Sequence, residues 1–342
     1  MTIKEVAEIA GVSTTTVSNV INNTKNVTPE TRRRVEEAVK HSGYRPNFIA
    51  KSLRERKTNT IGVLVEDIRG FSAPGIVNGI SEYADKHNFH ILLNDLKFKS
   101  YGQIMQYKDK IDEALSLLLH GIQVDAIIYV SISVRDITEI FDSKIKKPLV
   151  FAFATSTNSS VYTITYDNEN ISAQIIRYLF DLGHSDIGII TGPTHTPQVH
   201  SRMRGVQRVF KENNRILDSA LVKNGDWGYG SGYACMTALL SQNRRPTAVF
   251  AMNDPMAAGA MDASKELGLR IPADISIVGF DNHEMSAFLN PRLTTVEIDF
   301  NGIGYRAAEI AIGKINNTYK GKRNHVLPSR LVIRNSASTL SF

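Results

Sequence analysis

The spacing of apolar residues changes near residue 60. Before that point, apolar residues recur every three or four positions, as in Val6, Ile9 and Ala10, which is the spacing of short amphipathic helices. After it, short continuous apolar runs alternate with helical patterns, beginning with residues 61–65. The pattern therefore predicts a small all-α N-terminal part followed by a larger α/β core.

Capping residues define the first two helices. Thr2 and Glu5 form a capping box at the start of the first helix. Gly11 ends this helix, and Ser13 caps the next. The second helix leaves four short polar side chains on its outer face: Thr14, Thr15, Ser18 and Asn19. Two helices joined by a tight glycine turn are typical of a helix-turn-helix, whose second helix reads bases in the major groove. The alternative is a pair of core helices in an enzyme.

Positive charge is concentrated in the same part of the chain. Residues 1–60 contain eleven Lys or Arg against six Glu, a net +5 of the total +6. Thr28 and Pro29 open a third helix that carries three consecutive arginines, 32–34. Such asymmetry is expected of a surface that contacts the phosphates of double-stranded DNA, so it favours the DNA-binding alternative.

The pattern beyond residue 60 is that of a doubly wound α/β protein. It predicts strands at 61–65, 89–94, 125–130, 148–153, 186–191, 247–252 and 274–280, with helices between them that include 76–87 and 103–119. Towards the C-terminus it predicts a strand at 293–297, a helix at 303–316 and a strand at 331–334. Because the alternation of strands and helices begins again near residue 165, the core is predicted to contain two parallel sheets.

Ligands of such sheets bind beyond the carboxyl ends of the strands. This rule selects the segments that follow predicted strands: residues 67–72, 153–155, 192 onward, 253–254 and Asp281. Together with Trp227 they suit a small polyhydroxylated ligand whose hydroxyls are hydrogen-bonded and whose ring is stacked. The alternative for Asn253 and Asp281 is that they only cap the helices that follow.

Eight runs in the first 62 residues resemble one known family. They are residues 2–7, 10–13, 16–18, 20–22, 30–32, 43–47, 50–53 and 60–62. In these runs the chain is similar to the lactose/purine repressor family (LacI/GalR type) of bacterial transcription regulators. The resemblance extends over nearly the whole chain. It implies a helix-turn-helix headpiece joined to an α/β core of two doubly wound parallel-sheet lobes, like those of periplasmic binding proteins.

The resemblance also implies a division of the chain. The expected parts are the headpiece at 1–46, a hinge helix and linker at 47–60, and an effector-binding and dimerisation core at 61–342, with an N-lobe at about 61–164 and 297–325 and a C-lobe at about 165–296 and 326–342. The residues expected to contact DNA are Thr14, Thr15, Thr16, Asn19, Asn22, Lys25, Ala50 and Leu53. Leu53 matches the apolar side chain that the family's hinge helix inserts between base steps in the minor groove.

The effector-binding residues expected from the strand ends and the resemblance are Ser72, Phe153, Arg202, Trp227, Asn253 and Asp281. Arg202 is chosen because it lies three residues before Gly205, as the family's effector-binding arginine does. Ser72 and Phe153 stand where the chain departs from the family pattern, so the effector is left open between a sugar-like and a nucleobase-like metabolite. Arg69 is either an anion-binding residue or a solvated charge.

Several other classes of function find no support. Walker, G-x-S-x-G and G-x-G-x-x-G motifs are lacking, and the histidines lack metal-ligand spacing, so no catalytic residue, cofactor or metal is expected. Cys235 is alone, which excludes an internal disulfide and indicates a core cysteine. A secretory signal and a membrane-spanning apolar run are also lacking, which favours a cytoplasmic protein over the alternative, a periplasmic-type sugar-binding transport protein.

The sequence therefore predicts a ligand-responsive, DNA-binding transcriptional repressor. It is expected to bind a palindromic operator as a homodimer, because a two-fold dimer presents two headpieces to two half-sites. A tetramer is not expected, since no leucine heptad tail follows the core. Whether the effector releases the repressor from DNA or promotes binding is left open.

Overall fold

The computed structural model describes residues 2–22, 27–44, 57–98, 104–141 and 145–340. The chain divides into two compact units, residues 1–58 and 59–342. Within the described ranges, no helix is both long enough and apolar enough to cross a bilayer.

The N-terminal unit is built from three helices, α1 (Ile3–Ala10), α2 (Thr14–Asn22) and α3 (Pro29–Ser42). Each contributes a fully buried valine to a shared core: Val6, Val17 and Val35. The predicted capping box of Thr2 and Glu5 is confirmed, and Gly11 adopts the left-handed conformation at φ 61° that ends α1. A helix pair with the predicted glycine turn is therefore present.

One of the three consecutive arginines of α3 has a structural role. The Arg34 guanidinium donates hydrogen bonds to the carbonyl oxygens of Ala10 and Gly11, the second at 3.2 Å. It thus fastens α3 to the turn between α1 and α2. Arg33 lies on the surface beside Glu37, at 3.2 Å. Arg34 thus has a structural contact of its own, while the residue remains on the exposed surface of the helix.

The larger unit contains twelve strands among its described residues: β1 (Thr60–Val65), β2 (His90–Asp95), β3 (Ala126–Val130), β4 (Leu149–Ala152), β5 (Tyr162–Tyr166), β6 (Ile187–Thr191), β7 (Val222–Asn224), β8 (Ala248–Ala251), β9 (Ser276–Val278), β10 (Thr295–Ile298), β11 (Asn324–Leu327) and β12 (Ser329–Val332). Its α-helices are α4 (Ala73–Lys86), α5 (Lys108–Ser116), α6 (Asn168–Asp181), α7 (Pro197–Glu212), α8 (Tyr229–Leu240), α9 (Asp254–Glu266) and α10 (Phe300–Ile315).

Two parallel sheets organise these elements. The first has the order β2-β1-β3-β4-β5-β11 and the second the order β7-β6-β8-β9, and every neighbouring pair in both is parallel. We call the part around the first sheet the N-lobe and the part around the second the C-lobe. The prediction of two parallel sheets is confirmed. A third, two-stranded sheet pairs β10 with β12 in antiparallel fashion, which the apolar pattern did not predict.

The chain passes between the lobes three times: after β5, between β10 and α10, and between β11 and β12. These passages lie close to the crossovers expected near residues 164, 297 and 325. After the second passage α10 packs on α4 of the N-lobe. Gly304 allows this close approach, because a Cβ there would clash with the carbonyl oxygen of Ile76.

The predicted helix at 103–119 is not a single α-helix. A 3₁₀ turn at Ile104–Tyr107 leads into α5, and a π-helical turn at Leu117–Ile122 follows it. The wide turn buries Leu118 completely and places it where a side chain on Gly62 would collide with it. Packing against β1 thus accompanies a departure from α-helical geometry that helical spacing alone does not reveal.

Candidate functional site

The outer face of α2 carries the predicted base-reading side chains. Thr14 and Thr15 are exposed, and Asn19 is half-buried. Thr16 differs, because its backbone N–H donates to Ser13 Oγ at 3.1 Å and its hydroxyl lies 2.9 Å from the same oxygen. Thr16 is thereby part of the cap of α2. Its hydroxyl is less available to DNA than those of its two neighbours.

Four predicted DNA contacts are not placed by the structure. Asn22 is the last residue of α2, but its side chain lies outside the described residues. Lys25, Ala50 and Leu53 lie outside them altogether, together with most of the expected hinge helix.

A cavity of about 410 Å³ lies between the two lobes. All six predicted effector residues line it: Ser72, Phe153, Arg202, Trp227, Asn253 and Asp281. They come from loops and helices that follow six different strands. Each parallel sheet gathers the carboxyl ends of its strands at one edge. The structure therefore brings together side chains that are far apart in the sequence, in a volume typical of small-molecule sites.

Arg202 lines this cavity and is only 4% exposed. Its Nε donates to Asn168 Oδ1 at 2.9 Å, and its Nη2 donates to the Tyr166 hydroxyl at 2.8 Å. Nη1 donates to the carbonyl oxygen of Met252, and the guanidinium lies 3.6 Å above the centre of the Phe280 ring. The orientation of this cation is therefore fixed before any ligand arrives.

Asp281 lies beside this arginine, with Oδ1 3.7 Å from Arg202 Nη2. Burial raises the pKa of the Asp281 carboxyl to about 7, although the charge of Arg202 opposes the shift. Near neutral pH the group is thus a mixture of carboxylate and acid, which accept and donate hydrogen bonds respectively. Its backbone has φ 105°, a strained value for a residue with a side chain.

Asn253 has a structural task as well as a place at the cavity. Its Oδ1 accepts from Met256 N at 2.9 Å and so caps α9, as the helix-cap alternative requires. Its Nδ2 donates to the Trp227 carbonyl oxygen at 2.8 Å and holds that loop. Asp281, in contrast, caps no helix, because the 3₁₀ turn that follows it is capped by His283.

Trp227 occupies space that a glycine leaves free. A Cβ at Gly192 would overlap the indole ring of Trp227. The Trp227 backbone is itself in the left-handed region, at φ 75°. Its ring lies 5.8 Å from the guanidinium carbon of Arg202 and lines the cavity, where it is suited to stacking against a ring of the ligand.

Aromatic rings form much of the N-lobe side of the cavity. Phe153 stacks on Tyr166 with ring centres 5.6 Å apart and meets Phe300 edge to face at 5.4 Å. At the opening, Phe71 of the loop after β1 stacks on His283 of the loop after β9, with centres 4.7 Å apart. The Phe71–His283 contact therefore joins the two lobes beside the cavity.

An ion pair on the N-lobe side was not predicted. Arg135 lines the cavity, and its Nη2 donates to Glu66 Oε1 at 2.8 Å. The same oxygen accepts from the Tyr129 hydroxyl at 2.7 Å, and Glu66 Oε2 accepts from Ile132 N at 3.0 Å. Glu66 could have been selected from the sequence, because it directly follows the first predicted strand. Nothing in the spacing of residues indicates that Arg135 lines the cavity.

Arg69 is a solvated charge. Its guanidinium pairs with Asp67 at 2.9 Å, its side chain is 77% exposed, and it does not line the cavity. This pairing also lowers the pKa of the Asp67 carboxyl. Cys235 is buried, as expected of a core cysteine. The described residues include no cluster of three or more His, Cys, Asp or Glu that could hold a metal ion.

Comparison with known proteins identifies both units. Residues 2–47 match the bacterial regulatory proteins of the lacI family, and residues 176–337 match the periplasmic binding protein-like domain. Catabolite control protein A of Priestia megaterium is 32% identical over 98% of this chain and 99% of its own length. The chain belongs to the LacI family. The repressor CytR of Escherichia coli K12 is 31% identical over 99% of this chain and 97% of its own length. The repressor PurR of Pasteurella multocida is 33% identical over 99% of both chains.

Solved structures of the LacI family have the same architecture. A Lac repressor dimer bound to operator and the anti-inducer ONPF matches with a TM-score of 0.84 and 29% identity, over 100% of this chain and 99% of that one. A complex of the regulator CelR with cellobiose matches with a TM-score of 0.69 and 26% identity, over 98% and 99% of the two chains. The predicted family, fold class and general function, a ligand-responsive DNA-binding regulator, are confirmed. The alternative of a transport protein is wrong.

Proposed function

We propose that this LacI-family regulator represses transcription by binding a near-palindromic operator as a homodimer, and that a small effector in the interlobe cavity controls this binding. One observation carries the proposal: a basic helix-turn-helix and a cavity of small-molecule size, lined by aromatic rings and a few polar side chains, are parts of a single chain. The repressors CytR and PurR and the operator-bound Lac repressor dimer, all similar over nearly the full length, support it.

The DNA-reading roles follow from the exposed face of α2. Thr14, Thr15 and Asn19 are proposed to reach base edges in the major groove, with a lesser part for the cap residue Thr16. The remaining proposed contacts rest on the family resemblance: Asn22, Lys25, Ala50 and Leu53. We retain the division into a headpiece at 1–46, a hinge at 47–60 and a core at 61–342 as part of this proposal.

The effector roles follow from the chemistry of the cavity wall. Arg202, Asn253 and Asp281 are proposed to hydrogen-bond polar groups of the effector, and Trp227 and Phe153 to pack against its ring. The buried hydroxyl of Ser72 completes the polar wall, since it forms no hydrogen bond that caps α4. A sugar-like or nucleobase-like metabolite fits this set, and the cellobiose bound by CelR supports the former.

Effector binding is proposed to change the angle between the lobes and so to order or disorder the hinge at 47–60. For this to work, the two states of the protein must bind the effector with unequal affinity. The protein is proposed to have no catalytic activity, since its relatives are regulators. It is proposed to act in the cytoplasm, where the bacterial chromosome lies.

Selection of bound duplexes from a random pool tests the DNA-reading part. The full-length protein should enrich a short palindrome, and affinity should fall steeply with salt, because phosphate contacts release counterions. Asn19→Ala should lower discrimination between operator and random DNA by about 1–3 kcal/mol per altered base contact. Enrichment of no palindrome, or equal affinity for all duplexes, would contradict the proposal.

A further inference from the structure

Helix α7 begins at the interlobe cavity. Thr196, Pro197 and Gln198, at its N-terminus, all line this space. The first N–H groups of any helix lack partners within the helix, and the helix dipole places partial positive charge at this end. A helix that starts at a cavity is therefore suited to an anion, provided that the N–H groups are not already capped.

The N-terminus of α7 is uncapped. Thr196 is the N-cap residue, but its hydroxyl donates to the carbonyl oxygen of Pro193 at 2.8 Å and accepts nothing from the helix. Pro197 has no N–H to offer. The next two N–H groups, of Gln198 and Val199, form no hydrogen bond with another described residue. Two donors are thus left over where the helix meets the cavity.

The side chain of Gln198 is a second, independent sign of a ligand. The residue is only 9% exposed, and its remaining exposure is towards the cavity that it lines. Its amide has no hydrogen-bond partner within the described part of the chain, so it is free to bind a group inside the cavity. A ligand group that accepts a hydrogen bond from the amide would supply the missing partner.

The charge nearby has the sign that an anion requires. Arg202 lies four residues after Gln198, one helical turn further along the same face of α7, and lines the same cavity. The acid beside it is Asp281, at 3.7 Å from Arg202. Because burial raises the pKa of Asp281 to about 7, this carboxyl carries only part of a negative charge near neutral pH. Two backbone N–H groups, an amide and a guanidinium therefore share one end of the cavity.

We propose that the effector carries an acidic group, a phosphate or a carboxylate, and that the N-terminus of α7 together with Gln198 binds it. This inference rests on the proposed function of the cavity as the effector site. It specifies the class of effector, an anionic metabolite whose uncharged part lies against Trp227.

Titration of the full-length protein with sodium phosphate tests the inference, with sodium acetate as the carboxylate arm and sodium chloride at matched ionic strength as the blank. Trp227 is the sole tryptophan of the chain, so its fluorescence reports on the cavity, and calorimetry gives a second reading. We expect saturable binding of phosphate. Binding of acetate as well would extend the effector class to carboxylates, whereas binding of phosphate alone would restrict it to phosphorylated metabolites.

Three variants locate the site. Gln198→Leu should weaken phosphate binding at least about tenfold, which corresponds to about 1.4 kcal/mol. Gln207→Leu, on an exposed position of the same helix, is the matched control and should bind as the wild type does. Thr196→Asp places a carboxylate on the free N–H groups, so it should abolish phosphate binding while raising the melting temperature.

The inference is overturned if neither phosphate nor acetate binds saturably, if Gln198→Leu binds phosphate as the wild type does, or if Gln207→Leu loses as much affinity. Uncharged sugars and nucleosides, titrated in the same way, separate this failure from that of the proposed function. Saturable binding of an uncharged compound without binding of either anion would reject the anion subsite and leave the cavity as the effector site.

Discussion

Asp254 is a carboxylic acid that is completely enclosed by the protein. Its oxygens accept hydrogen bonds from the Thr295 hydroxyl at 2.6 Å and from His283 N at 2.7 Å. Asp254 at the start of α9 therefore contacts both the loop after β9 and the start of β10. Burial raises its pKa to about 8. The folded protein therefore keeps this proton over a pH range in which the unfolded chain has lost it.

Asp254→Asn tests this assignment, because asparagine resembles the protonated acid in shape and charge. As pH rises from about 4 to about 8, Asp254 should lower the free energy of unfolding of the wild type by up to about 1.4 kcal/mol per pH unit. The variant should lack this part of the decline. Urea denaturation at several pH values measures both, and parallel pH profiles would show that Asp254 does not hold the proton.

Gly192 determines where the sole tryptophan lies. Gly192→Ala should displace the indole of Trp227, shift its emission to longer wavelength and lower the free energy of unfolding by about 1–3 kcal/mol, as overpacking does. Gly230→Ala is the control, since a methyl group there meets no atom within 4 Å. Unchanged emission in Gly192→Ala would mean that the ring is not packed against this glycine.

The positions of the cavity residues could be predicted, but their individual tasks could not. Asn253 and Asp281 follow strands, and parallel sheets bring strand ends together whatever the side chains are. The Asn253 amide both caps α9 and binds the Trp227 carbonyl oxygen, and the second hydrogen bond depends on the conformation of the loop around Trp227. Gln198 lies several residues beyond the nearest predicted strand, and only the folded chain reveals that it lines the cavity.

At the scale of elements, the loops after β1 and β9 are joined by the contact between Phe71 and His283. Phe71→Ala should open the cavity and increase quenching of Trp227 fluorescence by acrylamide in the absence of effector. The lost aromatic pair should also lower the free energy of unfolding by about 0.5–1.5 kcal/mol. Phe288→Ala is the control, since Phe288 is 79% exposed and does not line the cavity. Equal quenching in all three proteins would contradict a covering role.

Strands with a continuous apolar run could be predicted, whereas β7 and β11, which lack such a run, could not. Strand β1 is buried along its whole length and therefore has an unbroken apolar run. Strand β11 alternates between exposed and half-buried residues at the edge of its sheet, and β7 has only three residues. Their strand conformation depends on neighbours that are remote in sequence, which local spacing does not encode.

At the scale of the whole molecule, the two units have separate hydrophobic cores. A protein truncated to residues 59–342 should therefore fold and respond to phosphate or to effector through Trp227 as the full chain does. It should lose operator binding by more than about a hundredfold, because the phosphate and base contacts are gone. Fluorescence titration and a gel-shift assay measure the two properties. Loss of both together would indicate that the core depends on the headpiece for folding.

The attachments of Arg202 have a further consequence. Its guanidinium donates to Tyr166, at the end of an N-lobe strand, and to Met252, at the end of a C-lobe strand. An effector that binds to the Arg202 guanidinium would therefore perturb hydrogen bonds that connect the two lobes. Substitutions near Arg202 that change effector specificity should therefore also change the strength of the transcriptional response. Substitutions at Ser72 or Gln198 should be able to change specificity without changing that response.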